Sequence, residues 1–440
     1  MVERDGLENR CILMGTESSN LSPSAINEKA EPEKVGFFCF SNLPGNDQEL
    51  IINSWPTCGK TTNALEEVVW ADLEGRDPAL KIEEICSYHH RINVAVNEGP
   101  TMHPIELKYI LDYALRLRIV NASLADADRY YDEIASCGEM ASTRIVSNHL
   151  VSVGIANTWM DARDVIRTDN LYRSARVDWE TSQKQSDAVL CPLFKKGAKP
   201  CRVVTQGFIG ATKDGRTTTL GREGSDFSAA IFAYLLDAES VTIWKDVPGM
   251  FNADPKLFPD TKLLEHISYK EAIELSYFGA SVIHPRTLQP LQRKNIPLYV
   301  RSFIDLDAKG STISEATDHD TLIPSFIIKP EQVLLSITPR DLSFIVEENL
   351  SGIFASFSSL GVRINMMQNS AVAFTVCVDN DQRLKPLVME LRRNYEVRWN
   401  EGLELLTVRH PDDATLTNLT KGRDILLEQR SRTTARFALK

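Results

Sequence analysis

The chain has 440 residues, 43% hydrophobic and 25% charged, which is typical of a soluble globular protein and, at ~150 residues per domain, of about three domain-sized units. Lys and Arg number 49 against 60 Asp and Glu, and the net charge of −11 argues against general binding to nucleic acid or anionic membranes. The longest apolar stretch, Ala229 to Leu236, is far shorter than the ~20 residues of a membrane span. The eight cysteines form no C-x-x-C pair and the eight histidines no H-E-x-x-H motif, so we expect a reduced, cytoplasmic protein without a metal site.

The N-terminal region is the least regular part of the sequence. Residues 1–34 are rich in Ser, Asn, Glu and Pro without apolar periodicity, which predicts an irregular or disordered segment. The run 49–52 is typical of a strand. A helix is predicted to begin at Thr61 or Thr62, and residues 105–135 also carry helical spacing.

From 137 to 310, short apolar runs alternate with helical patterns. The predicted strands are 151–155, 188–190, 203–204 and 241–244, and the predicted helices are 140–150, 225–236 and 269–277. Alternation of this kind predicts an α/β domain with a mostly parallel sheet and helices on both faces, which we place at 35–325. Ligands of such sheets bind at the carboxyl ends of the strands, beside helix N-termini.

The pattern changes after about residue 325. Strands are predicted at 333–337, 362–366, 372–378 and 404–408, with helices at 342–360 and 384–393. This βαββαβ order is typical of a small α+β regulatory module. A further helix at 414–423 and strands at 425–429 and 434–439 indicate part of a second module, so residues 326–440 are predicted to be regulatory.

The run 203–230 is the richest in possible chemistry. Gly207 and Gly210 follow a strand, and Gly221 and Gly224 precede a helix predicted to open at Ser225 or Asp226. Glycines let backbone N–H groups approach an anion, and a helix N-terminus adds partial positive charge. Arg222 can bind a carboxylate through two hydrogen bonds. By composition alone, ordinary turn glycines with Asp226 as an N-cap remain an equal alternative.

Two other clusters carry candidate residues. Glu139, in S-C-G-E-M-A-S, is predicted near a helix start, as a capping carboxylate or a ligand for a substrate ammonium. After the strand 241–244, Asp246, Phe251 and Lys256 are candidates to hold a nucleotide, or else lie in a Pro/Gly loop with a solvated lysine. Gly59-Lys-Thr is not a P-loop, because that motif requires Gly at position 54, where Ser stands.

Five motifs occur together, in the order of one known family: S-C-G-E-M-A-S at 136, V-T-Q-G-F-I-G at 204, G-R-T-T-T-L-G-R-E-G-S-D at 215, W-K-D-V-P-G at 244 and F-G-A-S-V-I-H-P at 278. With them, residues 58–440 closely resemble aspartate kinase of the amino-acid kinase family, and the tail resembles its tandem ACT modules. The resemblance implies transfer of the ATP γ-phosphoryl group to the side-chain carboxylate of L-aspartate, with Mg²⁺ bridging phosphates, at the entry to lysine, threonine and methionine synthesis. Because that carboxylate is already ionised, positioning and charge neutralisation carry the reaction without a general base.

The resemblance also implies roles for particular residues. Arg222 would bind the α-carboxylate of aspartate, Glu139 its ammonium, and Arg222 and Asp226 would be the catalytic pair. The other implied contacts are Thr62, Phe208 and Ser225 for the substrate; Lys245, Asp246, Phe251, Lys256 and Ser281 for ATP, where many members carry Lys at 281; and Asn365, Met366, Gln368 and Asn369 for an amino-acid effector, lysine or threonine. A homodimer through the C-terminal modules is expected.

One departure from the family concerns its opening strand. The family carries K-F-G-G-T-S there, and nothing in residues 1–57 matches it. The sequence therefore favours a shifted reading frame or a divergent start for this segment. It also leaves open a catalytically impaired relative that still binds amino acids. A glutamate kinase is a weaker alternative, because the C-terminal modules and the R-T-T-T-L-G-R run argue against it.

Overall fold

A computed structural model describes residues 36–41, 49–54, 61–96, 124–194, 202–221, 223–280, 282–341 and 343–440. The predicted irregular segment 1–34, the first part of the helical stretch at 105–135, Arg222 and Ser281 lie outside these residues. The chain divides into two compact units. The first comprises residues up to Met250, Glu265–Ala272 and Val282–Thr317, and the second comprises Phe251–Leu264, Ile273–Ser281 and Asp318–Lys440.

The first unit is built on a mixed eight-stranded sheet in the order β3-β4-β2-β1-β7-β9-β10-β8. The pairs β3/β4, β4/β2, β7/β9 and β10/β8 are parallel, and the three remaining pairs are antiparallel. The strands are β1 (Gly36–Ser41), β2 (Glu49–Ser54), β3 (Thr158–Trp159), β4 (Arg202–Gln206), β7 (Val241–Lys245), β8 (His266–Ser268), β9 (Leu298–Ser302) and β10 (Ser311–Ser314). A separate hairpin pairs β5 (Ile209–Ala211) with β6 (Thr217–Thr219).

Helices pack against this sheet and against one another. They are α1 (Thr61–Leu73), α2 (Ala79–Val96), α3 (Leu124–Ser152), α4 (Trp179–Val189), α5 (Gly224–Leu236), α6 (Tyr269–Phe278) and α7 (Pro285–Lys294). Val146 and Leu150 of α3 pack on Ile51 of β2 and Val204 of β4, while α5 contacts β1, β2 and β7. The predicted α/β class with helices on both faces is confirmed, and parallel neighbours bring the ends of β2 and β4 to the same edge.

Two predicted strands of the first unit were wrong, and one predicted helix is longer than expected. The strand expected at 151–155 is the end of α3 and a turn at Gly154, whose φ of +84° suits glycine. The strand expected at 188–190 is the end of α4, because its short apolar run lies on a helix. The helix expected at 140–150 is part of α3, which is 29 residues long.

The second unit contains an antiparallel six-stranded sheet in the order β12-β13-β11-β14-β16-β15. Its strands are β11 (Ser325–Pro339), β12 (Ile364–Asn369), β13 (Phe374–Asp379), β14 (Tyr395–Arg409), β15 (Ile425–Arg430) and β16 (Thr434–Leu439), and its helices are α8 (Glu347–Ser359), α9 (Leu384–Leu391) and α10 (Asp413–Thr420). The predicted βαββαβ order is confirmed, but β11 and β14 are longer than predicted.

Both long strands extend through two modules. A core under α8 and α9 includes Val333, Leu335 and Val397, and another under α10 includes Leu406 and Phe437. The second module therefore takes its strands from the beginning of β11, the end of β14, and β15 and β16. Across the described ranges, no helix has both the length and the apolar character that crossing a membrane requires.

Candidate active site

The turn after β4 lies directly against the first turn of α5. A Cβ placed on Gly207 would lie 2.9 Å from Cβ and Oγ of Ser225, so only glycine allows this approach. Phe208 has a φ of +71°, and its backbone N–H donates to Ser228 Oγ at 2.9 Å. Two predicted substrate residues, Phe208 and Ser225, are thus held on adjoining turns.

A buried ion pair joins the N-terminus of α5 to the end of β7. Lys245 Nζ lies 2.9 Å from Asp226 Oδ2 and also donates to the carbonyl of Val282. The Asp226 side chain is 8% exposed and that of Lys245 16%, so the attraction between them is weakly screened. The sequence assigned Asp226 to the substrate and Lys245 to ATP, and the structure brings the two groups together.

Glu139 lies in the middle of α3 and not near a helix start, which corrects the prediction from sequence. The helix continues through Gly138, and α1 packs closely against α3 at this glycine. A Cβ there would lie 3.0 Å from Leu65 Cδ1 and 3.5 Å from Thr61 Cγ2. The start of α1, with exposed Thr62 next to Thr61, is therefore adjacent to the turn of α3 that carries Glu139.

One oxygen of the Glu139 carboxylate lacks a hydrogen-bond partner among the described residues. This oxygen, Oε2, is shielded from solvent, although the residue keeps some exposed surface elsewhere. Burial raises the pKa of Glu139 to about 8. A buried carboxylate without a partner is costly, and a cation bound there would remove the cost. The site can therefore accept an ammonium group.

The remaining predicted nucleotide-binding residues belong to different units. Asp246 follows Lys245 and is half-buried in the first unit. In the second unit, Phe251 forms a β-bridge with Leu263, and Lys256 is exposed, with its backbone N–H donating to Asp254. Within the described ranges, no group of three or more His, Cys, Asp or Glu side chains is arranged to hold a metal ion.

The four predicted effector residues follow one strand, β12, but have different environments. Asn365 lies at a β-bulge, where its amide donates to Gln332 at 2.8 Å and Asp379 at 2.9 Å, and its Oδ1 accepts from Lys329 at 2.9 Å. Met366 is 2% exposed and packs in the core with Leu334 and Cys377, whereas Gln368 and Asn369 are exposed.

The carboxylate of Asp379 is the centre of this polar cluster. Burial acts to raise its pKa, but hydrogen bonds from Lys329, Gln332 and Asn365 hold the pKa below its usual value. The cluster is thus charged and fully paired in the structure as it stands.

Sequence reasoning missed two polar side chains that organise the site. Asp132 on α3 is completely buried and accepts from Thr219 N at 2.8 Å, Thr219 Oγ1 at 2.7 Å and Arg173 N at 2.9 Å. Burial outweighs these hydrogen bonds and raises the pKa of Asp132 to about 6. The only signal in the sequence was an acidic residue among the apolar positions of a helix.

Gln206, the last residue of β4, is the second missed group. Its side chain is completely buried, accepts from Ala162 N at 2.8 Å and donates to Thr143 Oγ1 at 3.0 Å. Gln206 was part of a quoted motif, but its partners are distant in sequence.

Comparison with known proteins decides the family. A sequence profile of the amino acid kinase family matches residues 60–302, more than half of the chain. The lysine-sensitive aspartokinase 3 of Escherichia coli (strain K12) is 31% identical over 347 residues, covering 76% of each chain. The chain belongs to the aspartate kinase branch of the amino acid kinase family.

Other members agree with this assignment. A bifunctional aspartokinase/homoserine dehydrogenase 2 of Arabidopsis thaliana is 29% identical over 401 residues, 90% of this chain, although the match spans only 41% of that longer protein. The crystal structure of E. coli aspartokinase III in complex with lysine and aspartate has a TM-score of 0.68 at 27% identity and covers 86% of each chain. The family and the fold thus agree with the resemblance seen in the sequence.

Proposed function

We propose that the protein is an aspartate kinase, which transfers the γ-phosphoryl group of ATP to the side-chain carboxylate of L-aspartate and forms 4-phospho-L-aspartate. The shielded Oε2 of Glu139, which has no hydrogen-bond partner among the described residues, supports this most directly, because it offers the site an ammonium-binding group. The aspartokinase III structure that resembles this chain holds aspartate, and the family uses ATP.

The chain's own residues account for substrate binding. Glu139 pairs with the substrate ammonium and Arg222 with its α-carboxylate, so both charged groups on the α-carbon of aspartate are held. Thr62, Phe208 and Ser225 border the same substrate, and Gly207 packs closely against Ser225, which brings the two turns together. The side-chain carboxylate is then left free to attack phosphorus, and no residue needs to remove a proton.

Positive charge for the phosphates comes from Lys245 and from the N-terminus of α5. Asp226 holds the Lys245 ammonium in place, and Asp246, Phe251, Lys256 and Ser281 are proposed to line the nucleotide site. Mg²⁺ would neutralise phosphate charge, as is usual in this chemistry. The described residues offer no set of metal ligands, so the phosphates themselves are the expected holders of the ion.

Turnover can be measured by trapping the acyl phosphate with hydroxylamine, and binding by calorimetry. Arg222→Ala is expected to weaken aspartate binding about 10- to 150-fold, because charge-assisted hydrogen bonds are lost. Arg293→Ala, a change of an exposed arginine on α7, is the control and should bind normally. Unchanged aspartate affinity in Arg222→Ala would refute the assignment.

The same pair of measurements separates the active enzyme from its impaired alternative. The K-F-G-G-T-S motif of the family has no match in residues 1–57, most of which lie outside the described ranges. Aspartate binding together with hydroxamate formation supports the active kinase. Binding without hydroxamate supports an impaired relative that retains its amino-acid site, and no binding refutes both.

We also propose that the C-terminal modules bind lysine or threonine, assemble the chain into a homodimer and feed back on the first step of lysine, threonine and methionine synthesis. The matched aspartokinase III structure holds lysine. At ~100 times its Kd, an effector should add ~2.7 kcal/mol to the stability of the state that binds it. We therefore expect one of the two amino acids to raise the melting temperature of the whole chain.

A variant pair makes that experiment specific. Asn369→Ala, on exposed β12, should reduce the thermal shift, whereas Asn400→Ala, on exposed β14, should not. If neither lysine nor threonine changes the melting of the unmodified chain, the regulatory proposal fails for both effectors.

A further inference from the structure

Helix α3 carries three polar side chains along one stripe, and two of them form hydrogen bonds with β6 and β4. Glu139 follows Asp132 by seven residues, and Thr143 follows Glu139 by four. At ~100° per residue, these spacings place all three on one face of a helix, within about 40° of one another. Glu139 thus lies between two other polar groups, one on each side along the helix.

Asp132 ties α3 to β6. Both the backbone N–H and the hydroxyl of Thr219 donate to its carboxylate, and Thr219 is the last residue of β6. Arg222 comes three residues later in the chain. The carboxylate also accepts from the backbone of Arg173, which has a φ of +61°, so it fixes a strained turn beside β6.

Thr143 ties the other side of the stripe to β4. Its hydroxyl accepts from Gln206 Nε2 and from Trp159 Nε1, each at 3.0 Å, and donates to the carbonyl of Glu139 at 2.9 Å. One proton and two lone pairs are all that a hydroxyl offers, so its capacity is fully used. Phe208 follows Gln206 by two residues.

We propose that Asp132 and Thr143, with Gln206, are positioning residues for substrate recognition. They hold the Glu139 carboxylate at a fixed place relative to the turn of Phe208 and the strand that leads to Arg222. The inference rests on the proposed function, because it assumes that Glu139 binds the substrate ammonium. None of the three touches substrate, and they act by fixing where α3 lies against β4 and β6.

The three side chains are buried as well as hydrogen-bonded. Asp132, Thr143 and Gln206 are all completely buried, so water cannot replace a partner that is removed. Removing one of these hydrogen bonds therefore leaves buried polar groups unpaired and favours a shift of α3. A misplacement of about 1 Å is enough to weaken a positioned contact strongly.

Thr143→Val tests the contact between α3 and β4, because valine keeps the side-chain volume and removes the hydroxyl. We expect the aspartate KM and the calorimetric aspartate Kd to rise about tenfold, with the ATP KM unchanged. Thr143→Ser restores the hydroxyl and should recover most of the affinity. Thr287→Val is the matched control, since Thr287 is equally buried but its hydroxyl has no partner among the described residues.

Thr219→Val tests the contact between α3 and β6, because it removes one hydrogen-bond donor to Asp132 and leaves the Asp132 carboxyl group in place. The same split between the aspartate and ATP KM values is expected. If Thr143→Val and Thr219→Val both leave the aspartate Kd within twofold, or raise the KM of both substrates equally, the positioning role is overturned. An unmodified chain that does not bind aspartate overturns the proposed function, and this inference with it.

Discussion

Lys245→Met is expected to lower kcat by about 10²- to 10³-fold, the usual cost of removing one preorganised charge at a developing negative centre. The described structure sets the Lys245 ammonium against Asp226, at the N-terminus of α5. Without the lysine, the buried Asp226 carboxylate would repel both the attacking carboxylate and the phosphates. Methionine keeps most of the side-chain length and removes only the charge.

Lys294→Met is a closely matched control for this loss. Lys294 also pairs with one carboxylate, of Asp237, and one backbone carbonyl, of Tyr234, but at the opposite end of α5. Hydroxamate formation should fall only in Lys245→Met, and ADP binding measured by calorimetry should weaken in the same variant. Equal loss in the two variants would assign the effect to the stability of α5 and contradict a role in phosphoryl transfer.

Glu139→Gln is expected to weaken aspartate binding by at least about tenfold and yet to stabilise the folded protein above neutral pH. The amide cannot pair with an ammonium as a carboxylate does. It also carries no charge, so it avoids the cost of a buried, unpaired carboxylate. A gain in stability together with a loss of binding is characteristic of a residue kept for function.

The dependence on pH follows from the direction of the pKa shift. The ordinary pKa of 4.5 rises to about 8 in the folded protein, so the folded state holds a proton that the unfolded state has lost. The stabilisation from this proton is fully present below pH 4.5 and is lost as the pH rises through 8. The advantage of Glu139→Gln in melting temperature should therefore be near zero at pH 4.5 and largest at pH 9.

Thermal unfolding of both proteins between pH 4.5 and 9 measures this difference. Glu133→Gln is the control on the same helix, since the Glu133 carboxylate accepts from the backbone N–H of Thr217. It should not become more stable than the unmodified protein at pH 9. A constant difference between Glu139→Gln and the unmodified protein at every pH would show that the Glu139 carboxylate is not a buried, unpaired group.

Aspartate binding near pH 7 should also release protons, because the ammonium stabilises the ionised form of Glu139. Calorimetry in two buffers of different ionisation enthalpy would detect this release. No proton release is expected if the Glu139 carboxylate does not face the bound aspartate.

Helix α3 shows where sequence patterns stop being informative. The motif at 136–142 predicts the opening of a helix, whereas α3 runs through it without interruption. Gly138 is there because Leu65 and Thr61 of α1 pack against it, and that contact joins residues more than 70 positions apart. Local propensity cannot show such a contact, so Glu139 was assigned to a helix start.

Short apolar runs failed for a related reason. The runs 151–155 and 188–190 have the composition of strands, but the first is the largely exposed end of α3 with a turn, and the second lies at the end of α4. A run this short cannot distinguish a strand from a helix. The helix predicted at 225–236 matches α5 to within one residue, whereas β11 and β14 begin eight and nine residues before the strands predicted at 333–337 and 404–408. The pattern at 225–236 is long enough to identify a helix, and none of its residues is exposed.

In the candidate site, motifs mark candidate residues but not their partners. The sequence marked both Asp226 and Lys245, yet only the fold shows that they form one ion pair. It gave no reason to select Asp132, because the polar groups that satisfy it come from a hairpin that follows far along the chain. Residue types suggest chemistry, whereas the pairing of charges depends on the tertiary structure.

The two long strands β11 and β14 also bear on how such a chain can be modified. Lys329 pairs with Leu405 and Gln332 with Leu403, so the chain leaves for the first module and returns from it at neighbouring points of the sheet. The first module is in effect an insertion into the second, with its two ends side by side. A segment of this kind can be exchanged between relatives by recombination at two sites that are adjacent in the fold, and the inserted module can diverge while the framework that receives it is retained.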